Sequence, residues 1–287
     1  MSRIAYVNGR YVSHALASVH IEDRGYQFAD GVYEVCEVRD GHLVDEVGHL
    51  ARLRRSLKEL SIREPMPEAS LKLVLRETIR RNRVRDGIVY VQVTRGVSRR
   101  DHYFPPASVK PALVVTARSM DRAKTEAGAV AGVKVITLPE NRWARVDIKT
   151  VGLLPNVLAK QQAKDAGAKE AWFVDPAGFV TEGGSTNAWI VTKDGIIRTR
   201  PAESGILRGI TRTTALRMAR DLQMRFEEEP FTVEEAKAAR EAFFTAATAI
   251  VTPIVAIDGQ TIGDGKPGPV ALELRRRFHE FAEISKD

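Results

Sequence analysis

Apolar side chains along the chain follow two spacings, one typical of helices and one typical of strands. Residues 46–60 and 68–83 carry them at intervals of three and four, which predicts two amphipathic helices, and Asp45 is a candidate N-cap for the first. Thr232-Val-Glu-Glu235 has the pattern of a capping box and predicts the start of a short helix. Further predicted helices span 156–166, 210–224 and 269–284, and predicted strands span 4–12, 32–39, 88–94, 112–117, 133–138, 170–174, 187–192, 243–248 and 253–258. This mixture predicts an α+β fold with mixed sheets and packed helices.

One stretch interrupts the pattern and divides the chain. Residues 119–132 have little periodicity, so we predict that they connect two domains. The first is a small N-terminal α/β domain over 1–118, and the second is a larger C-terminal domain over 133–287 that contains Lys149.

The composition is that of an ordinary soluble protein. Hydrophobic residues make up 44% of the 287 positions and charged residues 28%, which is enough apolar material for one large core or two moderate ones. The only cysteine, Cys36, excludes an intrachain disulfide and argues against a cysteine-based metal site; we expect no metal. The N-terminal residues lack the apolar core of a signal peptide, and no apolar run approaches a membrane span. We therefore expect a cytoplasmic protein with no membrane partner.

The net charge of +7 raises the question of nucleic-acid binding. Basic residues such as Arg76, Arg80 and Arg81 lie at helix-face spacing, and no aromatic residues interleave with them as a stacking platform requires. We expect no nucleic-acid partner and interpret the charge as attraction for anionic small molecules. A non-catalytic basic binding protein is the remote alternative.

Lys149 is the most informative residue for function. It lies in Arg145-Val-Asp-Ile-Lys-Thr-Val-Gly-Leu-Leu-Pro-Asn156, flanked by apolar and small residues. A lysine amine in a desolvated pocket loses part of its preference for the charged form and can condense with a carbonyl group as a Schiff base. The alternative is a solvated loop lysine, which is the ordinary state of this residue.

Glu182 is the second candidate, in Thr181-Glu-Gly-Gly-Ser-Thr-Asn187. It follows a short predicted strand and precedes two glycines, which let another group approach the backbone closely. A glutamate held against a pyridine nitrogen keeps that nitrogen protonated, as a pyridoxal-phosphate (PLP) enzyme requires. The alternative is a turn glutamate in water.

A loop before a predicted helix, Gly205-Ile-Leu-Arg-Gly-Ile-Thr-Arg-Thr213, offers an anion site. The first backbone N–H groups of that helix, near Ile210 and Thr211, have no partner within the helix and suit a phosphate. A plain helix start has the same appearance. The loop lacks the lysine of a P-loop and the glycine spacing of a Rossmann fingerprint, which disfavours a nucleotide.

Arg100 and His102 lie in Thr94–Phe104, the segment at the end of a predicted strand, and stand two residues apart, so an extended segment would aim both to one side. A guanidinium with an imidazole suits a carboxylate ligand, whereas the alternative is an exposed basic loop. Tyr33 begins another strand and is either a ligand contact or a core aromatic. Arg52, on the face of its helix away from Leu53, is either solvated or directed at a phosphate.

Together these segments resemble the fold-type IV PLP enzymes, the group of branched-chain aminotransferases, aminodeoxychorismate lyase and D-amino acid aminotransferase. The resemblance covers nearly the whole chain, and its matching segments follow the family order. They are Glu22–Glu34, Thr94–Phe104, Arg142–Lys149, Val180–Asn187 and Ile206–Arg212. The Arg100-Asp-His102 pattern is what favours the D-amino acid branch.

The resemblance implies a two-domain fold-type IV enzyme with pyridoxal 5'-phosphate as cofactor, Lys149 as the Schiff-base lysine and Glu182 as the partner of the pyridine nitrogen. It also implies the remaining cofactor and substrate contacts. These are Arg52, Ile210 and Thr211 at the phosphate, Leu207 beneath the ring, Ala247 and Thr248 as further cofactor contacts, and Tyr33, Arg100 and His102 at the substrate carboxylate. In such enzymes the Arg-x-His pair comes from the neighbouring subunit, which implies a homodimer.

The implied reaction moves the amino group of a D-amino acid of the D-alanine type to a 2-oxo acid such as 2-oxoglutarate or pyruvate. An (R)-selective amine transaminase, or an activity like that of branched-chain aminotransferase or aminodeoxychorismate lyase, remains an alternative. One departure bears on the cofactor. Family members usually carry a hydroxyl residue where Ala246 or Ala247 stands, so we expect backbone N–H groups or Thr248 to serve and the affinity to be weaker.

Overall fold

The computed structural model describes residues 3–203 and 205–285. These residues divide into two units. The first unit contains the residues up to Arg122, Ile148–Gly152 and the residues from Glu283 onward, and the second contains Ala123–Asp147 and Leu153–Ala282. Helices and sheets occur in both, which confirms the α+β prediction. Among the described residues, no helix combines the length and the apolar character that crossing a membrane requires.

The first unit is built on an antiparallel sheet. Its strands are β1 (Ile4–Val7), β2 (Arg10–Ser13), β3 (Gly31–Arg39), β4 (His42–Leu43), β5 (Gly87–Thr94) and β6 (Ala112–Ser119). Its helices are α1 (Arg24–Phe28), α2 (Glu46–Glu59) and α3 (Glu68–Asn82), with a short 3-10 helix at His14–Leu16. Over the described part of the chain the strand order is β2-β1-β6-β5-β3-β4, and every neighbouring pair is antiparallel.

Strand β3 has one face toward the core of this unit and one face away from it, because buried and half-buried residues alternate along it. Val32, Cys36 and Val38 lie in the core, where they share a cluster with the leucines of α2 and α3. The three- and four-residue spacing therefore reports the packed faces of both helices correctly. Glu34 occupies an inward position in the same series and is fully buried, so a carboxylate lies where the pattern expects an apolar side chain.

The second unit is built on a mixed sheet. Its elements are α4 (Arg122–Ala131, beginning at the last residue of the first unit), β7 (Val133–Pro139), α5 (Leu154–Asp165), β8 (Glu170–Val174), β9 (Val180–Gly183), β10 (Asn187–Val191), β11 (Ile197–Thr199), α6 (Ile210–Asp221), β12 (Phe226–Glu228), α7 (Val233–Ala238), β13 (Glu241–Ala246), β14 (Ile250–Ile257), β15 (Gln260–Thr261) and α8 (Pro269–Phe281). As far as the chain is described, the order is β12-β11-β10-β13-β14-β7-β8-β9, with β15 on β14. The pairs β11/β12, β7/β14 and β7/β8 are parallel.

Two predicted segments differ from the structure. The expected single strand over 4–12 is a hairpin, since Asn8 and Gly9 turn the chain with φ of 46° and 95°. The expected connection over 119–132 is mostly α4, a helix rich in alanine in which only Ala129 is buried. A helix that buries one small residue has no apolar stripe, so hydrophobic periodicity does not reveal it.

The boundary between the predicted domains also differs from the division into units. The segment Ile148–Gly152, with Lys149, belongs to the first unit and not to the C-terminal one. The outer ends of the predicted domains, residues 1–2 and 286–287, lie outside the described residues.

Of the two predicted caps, one is confirmed. Thr232 and Glu235 form the expected capping box at the start of α7. Asp45 stands at the N-cap of α2 but makes no capping hydrogen bond. Its carboxylate instead accepts one from the N–H of Glu283 at 2.9 Å.

Candidate active site

Lys149 is held by the edge of β3 in the first unit. The N–H of Tyr33 donates to the carbonyl of Lys149 at 3.0 Å, and the N–H of Val151 donates to the carbonyl of Gly31 at 3.1 Å. Ile148, just before the lysine, is buried in the core of this unit. The lysine backbone is therefore fixed by strand-like pairing and an apolar anchor, which is not the state of a mobile loop lysine.

The amine of Lys149 lies on an aromatic surface. Its Nζ is 4.2 Å from the centroid of the Tyr33 ring, and the Tyr33 and Tyr90 rings are 5.6 Å apart. Burial, together with Tyr33, raises the pKa of Tyr90 to about 12, so this phenol stays neutral and donates to Gln92 at 2.6 Å. Within the described residues Lys149 makes no salt bridge. An amine packed against a ring and without a carboxylate partner suits a reactive nitrogen.

Arg52 is buried by an ion pair that the sequence did not suggest. Its Nε and Nη2 donate to the two carboxylate oxygens of Glu34 at 2.7 and 2.8 Å, and Nδ1 of His49 lies 2.8 Å from the second oxygen. Burial alone would raise the pKa of Glu34, but Arg52 and His49 outweigh it and lower the pKa to about 2. The Arg52 side chain is 9% exposed, so it is not a solvated helix-face arginine. Its contact with a phosphate stays a prediction.

Arg100 and His102 lie at one aromatic ring, that of Phe28. The guanidinium carbon of Arg100 is 5.0 Å from the ring centroid, and the His102 ring is 5.5 Å from it. Nη1 of Arg24 donates to the carbonyl of Asp101 at 2.6 Å, which fixes the backbone between them. Both side chains are exposed in the single chain. The structure thus brings the pair together as expected, and its role toward a substrate stays a prediction.

Glu182 lies in β9 of the second unit and is buried. Oε1 accepts from Nη1 of Arg142 at 2.6 Å, while Oε2 accepts from Nδ2 of Asn187 at 3.0 Å and from the N–H of Leu207 at 3.1 Å. Burial raises the pKa of Glu182 above its ordinary value, although Arg142 opposes the change. This excludes the alternative of a turn glutamate in water.

Arg142 is a second residue that the sequence did not single out. Its Nε and Nη2 donate to the two oxygens of Glu140 at 2.9 and 2.6 Å, and its guanidinium lies 4.5 Å from the Phe173 ring centroid. The hydroxyl of Thr181 also donates to Glu140, at 2.8 Å. Arg142 therefore stands between two carboxylates. The sequence shows an arginine two residues after a glutamate, but it does not show that this arginine is buried. Burial is the feature that distinguishes Arg142 from a surface arginine.

The start of α6 is connected to Glu182 through two residues. Asn187 donates to Glu182 and also to the carbonyl of Leu207, at 3.0 Å each. Gly209 is the N-cap of α6, and a Cβ there would lie 2.0 Å from Oδ1 of Asn187, so only glycine fits. The N–H groups of Ile210 and Thr211 have no acceptor among the described residues. The second unit thus places a buried carboxylate beside a helix N-terminus that suits an anion.

Ala247 and Thr248 form the turn between β13 and β14. Nη1 of Arg275 donates to the carbonyls of Ala249 and Val251 at 2.7 Å each, which holds the end of this turn. Ile250, which follows, has a φ of 58°, a left-handed conformation that is strained for a β-branched residue. The contribution of Ala247 and Thr248 to a cofactor site stays a prediction.

A family model, sequence relatives and solved structures all relate this chain to aminotransferases. Residues 31–257 match the model of the family described as amino-transferase class IV. The D-alanine aminotransferase of Bacillus licheniformis is 44% identical over 268 residues, which is 93% of either chain. That of Staphylococcus haemolyticus is 40% identical over 279 residues, which is 97% of either chain.

Solved structures agree with the sequence relatives. The branched-chain amino acid aminotransferase from T.th., determined with pyridoxamine 5'-phosphate, has a TM-score of 0.89 and 28% identity, covering 98% of this chain and 94% of its own. The branched-chain aminotransferase of Thermoproteus uzoniensis has a TM-score of 0.84 and 27% identity, covering 99% of both chains. The resemblance to the fold-type IV enzymes is therefore confirmed: the chain belongs to the class IV aminotransferase family.

Proposed function

We propose that this protein is a PLP-dependent D-amino acid aminotransferase. It moves the amino group of a D-alanine-type amino acid to a 2-oxo acid such as 2-oxoglutarate or pyruvate. The observation that carries the proposal is the 39–44% identity to D-alanine aminotransferases, which extends over at least 93% of the chain. Lys149 on the Tyr33 ring and the buried Glu182 support it chemically.

The donor set fits PLP. An aldehyde needs an amine, which Lys149 supplies without a competing carboxylate among the described residues. A pyridine nitrogen needs a fixed acceptor, which Glu182 supplies with both oxygens held. A phosphate needs N–H donors and positive charge, which the N–H groups of Ile210 and Thr211 and the guanidinium of Arg52 supply.

The remaining implied cofactor contacts are assigned on the same basis. Leu207 would lie beneath the cofactor ring, and its N–H is one of the groups that hold Glu182. Ala247 and Thr248 contribute backbone N–H groups or the Thr248 hydroxyl to the phosphate.

When bound, PLP draws electron density from the substrate's Cα and makes its proton acidic. With the cofactor bound, the Lys149 amine would act as the base that takes this proton and then as the acid that returns it. Positioned proton transfer of this kind contributes about 10²–10⁴-fold to rate. The Tyr33 ring covers one side of the amine and limits the access of water to it, and the Tyr90 ring packs beside that of Tyr33. Glu182 would accept a hydrogen bond from the protonated pyridine nitrogen.

Substrate choice depends on the carboxylate. Tyr33, Arg100 and His102 bind it, and the face of Cα that meets Lys149 then determines which enantiomer reacts. We assign Arg100 and His102 to the site of a second copy in a homodimer. In the single chain both are exposed, with Tyr103 beside them 83% and Phe104 64% exposed, as expected of an interface. With its single buried cysteine, the protein is assigned to the cytoplasm.

The test is turnover of D-alanine with 2-oxoglutarate, measured as pyruvate formed, with L-alanine as the matched control. We expect product with the D-enantiomer only. Replacement of Arg100 by Met is expected to raise KM for D-alanine by about 10–100-fold, since one charge-assisted contact contributes about 1.5–3 kcal/mol. No turnover of either enantiomer by a PLP-loaded protein would refute the proposal. A mass measurement in solution tests the dimer.

A second candidate is a branched-chain aminotransferase, favoured by the TM-score of 0.89 to such an enzyme. L-Leucine with 2-oxoglutarate tests it directly. An (R)-selective amine transaminase would instead turn over an (R)-amine that has no carboxylate, and its rate would not depend on Arg100.

A further inference from the structure

One guanidinium in the second unit holds two carboxylates, the buried Glu182 and the half-buried Glu140. Arg142 donates through Nη1 to Glu182, and through Nε and Nη2 to Glu140. Its side chain is 6% exposed, and one face packs on the ring of Phe173 at 4.5 Å. All three guanidinium nitrogens therefore have carboxylate acceptors in a nearly dry environment. Three charged groups, two negative and one positive, share this space.

The two carboxylates are not held equally. Glu140 receives the bidentate fork, a further bond from the N–H of Arg142 at 3.0 Å, and the hydroxyl of Thr181. Glu182 receives a single arginine bond, and its other oxygen is held by the neutral donors of Asn187 and Leu207. Because Glu182 is more deeply buried and more weakly compensated, its charge depends on Arg142 more than the charge of Glu140 does.

We propose that Arg142 is a positioning residue that keeps Glu182 ionised and oriented toward the pyridine nitrogen. Glu140 competes for the same guanidinium and so reduces the electrostatic stabilisation that Arg142 gives to ionised Glu182. The inference rests on the proposed function, in which that nitrogen belongs to PLP. Arg142 touches neither the substrate nor the cofactor in this account. It acts through Glu182.

The chemical consequence concerns one shared proton. With Arg142 in place, an ionised Glu182 leaves that proton on the ring nitrogen, which then carries positive charge and draws electrons. Without Arg142, burial favours the neutral carboxyl, and the proton moves to Glu182. The pyridine ring of PLP is then bound with its nitrogen unprotonated and therefore without positive charge. Removing Glu140 has the opposite effect, because Arg142 is left to pair with Glu182 alone.

Binding of two cofactors tests the proposal without relying on turnover. The probes are PLP and its analogue with carbon in place of the ring nitrogen, each titrated into cofactor-free protein and followed by fluorescence. The wild type is expected to prefer PLP. Arg142→Gln is expected to reduce that preference at least about tenfold, the equivalent of one pKa unit. Glu140→Gln keeps or increases it, and Arg145→Gln, at an exposed arginine paired with Asp147, leaves it unchanged.

Each outcome is decisive. If Arg142→Gln weakens both probes equally, the arginine serves only the fold and the inference is wrong, while the proposed function stands. If wild-type protein binds no PLP, the proposed function itself fails. Should Arg142→Gln not fold, Arg142→Lys replaces it, retaining the charge but not the fork. We then expect Arg142→Lys to lose part of the preference for PLP over the carbon analogue and Glu140→Gln to keep all of it. An equal loss in both variants overturns the inference.

Discussion

Replacing Glu34 by Gln removes the charge of the fully buried carboxylate that pairs with Arg52. In the folded protein the pKa of Glu34 is about 2, against an ordinary value of 4.5, because Arg52 and His49 outweigh the effect of burial. That difference corresponds to about 3 kcal/mol of stability at about pH 7. Breaking one side of a buried ion pair costs about 3–5 kcal/mol in general, which agrees. We therefore expect Glu34→Gln to lower the free energy of unfolding by about 3 kcal/mol.

The pH dependence follows from the direction of the shift. A carboxyl whose pKa is lowered by folding stabilises the protein above its unfolded pKa, and this contribution is lost as the pH falls toward the folded value. The wild type should therefore lose its advantage over Glu34→Gln between a pH of 4.5 and a pH of about 2. Above that window the difference should be constant.

The assay is urea unfolding of cofactor-free protein, so that PLP affinity does not enter, followed by circular dichroism. Glu77→Gln is the matched control. Hydrogen bonds from Arg80 and Arg81 also lower the pKa of Glu77 to about 2, but this carboxylate lies at the surface, where water screens the pair. We expect a far smaller loss there. An equal loss in both variants, or a loss in Glu34→Gln that does not change with pH, would refute the reasoning.

Three further predictions concern single positions. Thr232→Ala removes the capping box of α7 and should cost about 1 kcal/mol in urea unfolding; no change would contradict a stabilising cap. Gly209→Ala places a Cβ 2.0 Å from Oδ1 of Asn187, so the affinity for PLP, measured by titration, should fall at least about tenfold. The control Gly128→Ala has open space around the added Cβ and should bind PLP as the wild type does. Burial raises the pKa of the Cys36 thiol well above its ordinary value, so it should react with a thiol reagent only after unfolding. Labelling of folded protein at the unfolded rate would contradict that.

The sequence predicts the elements whose packing is local, and it misses the contacts that depend on the tertiary fold. Apolar spacing reports α2 and α3 correctly because each buries one stripe of leucines. The pairs Glu34–Arg52 and Arg142–Glu182 join residues 18 and 40 positions apart, and no local pattern reports that such charges are buried together. The same limit applies to Lys149, whose pairing with β3 depends on where the chain returns after β7.

The candidate site is predicted mainly from residue types and from family resemblance. Lys149 and Glu182 have a reason in their local chemistry, and the structure adds the aromatic surface and the buried network around them. Arg100 and His102 both lie at the Phe28 ring, although the chain bends at both residues and does not form a strand there. Enantiomer choice has no such local signal, because it depends on how several groups meet one carbon atom.

The most direct test of the central claim is the visible absorption spectrum of the purified, PLP-loaded protein, recorded before and after D-alanine or L-alanine is added separately. We expect a yellow band from the cofactor on Lys149 that is bleached by D-alanine and not by L-alanine. Bleaching by L-alanine alone would retain the cofactor and Lys149 but contradict the assigned stereochemistry. A protein that stays colourless with added PLP would contradict the account as a whole.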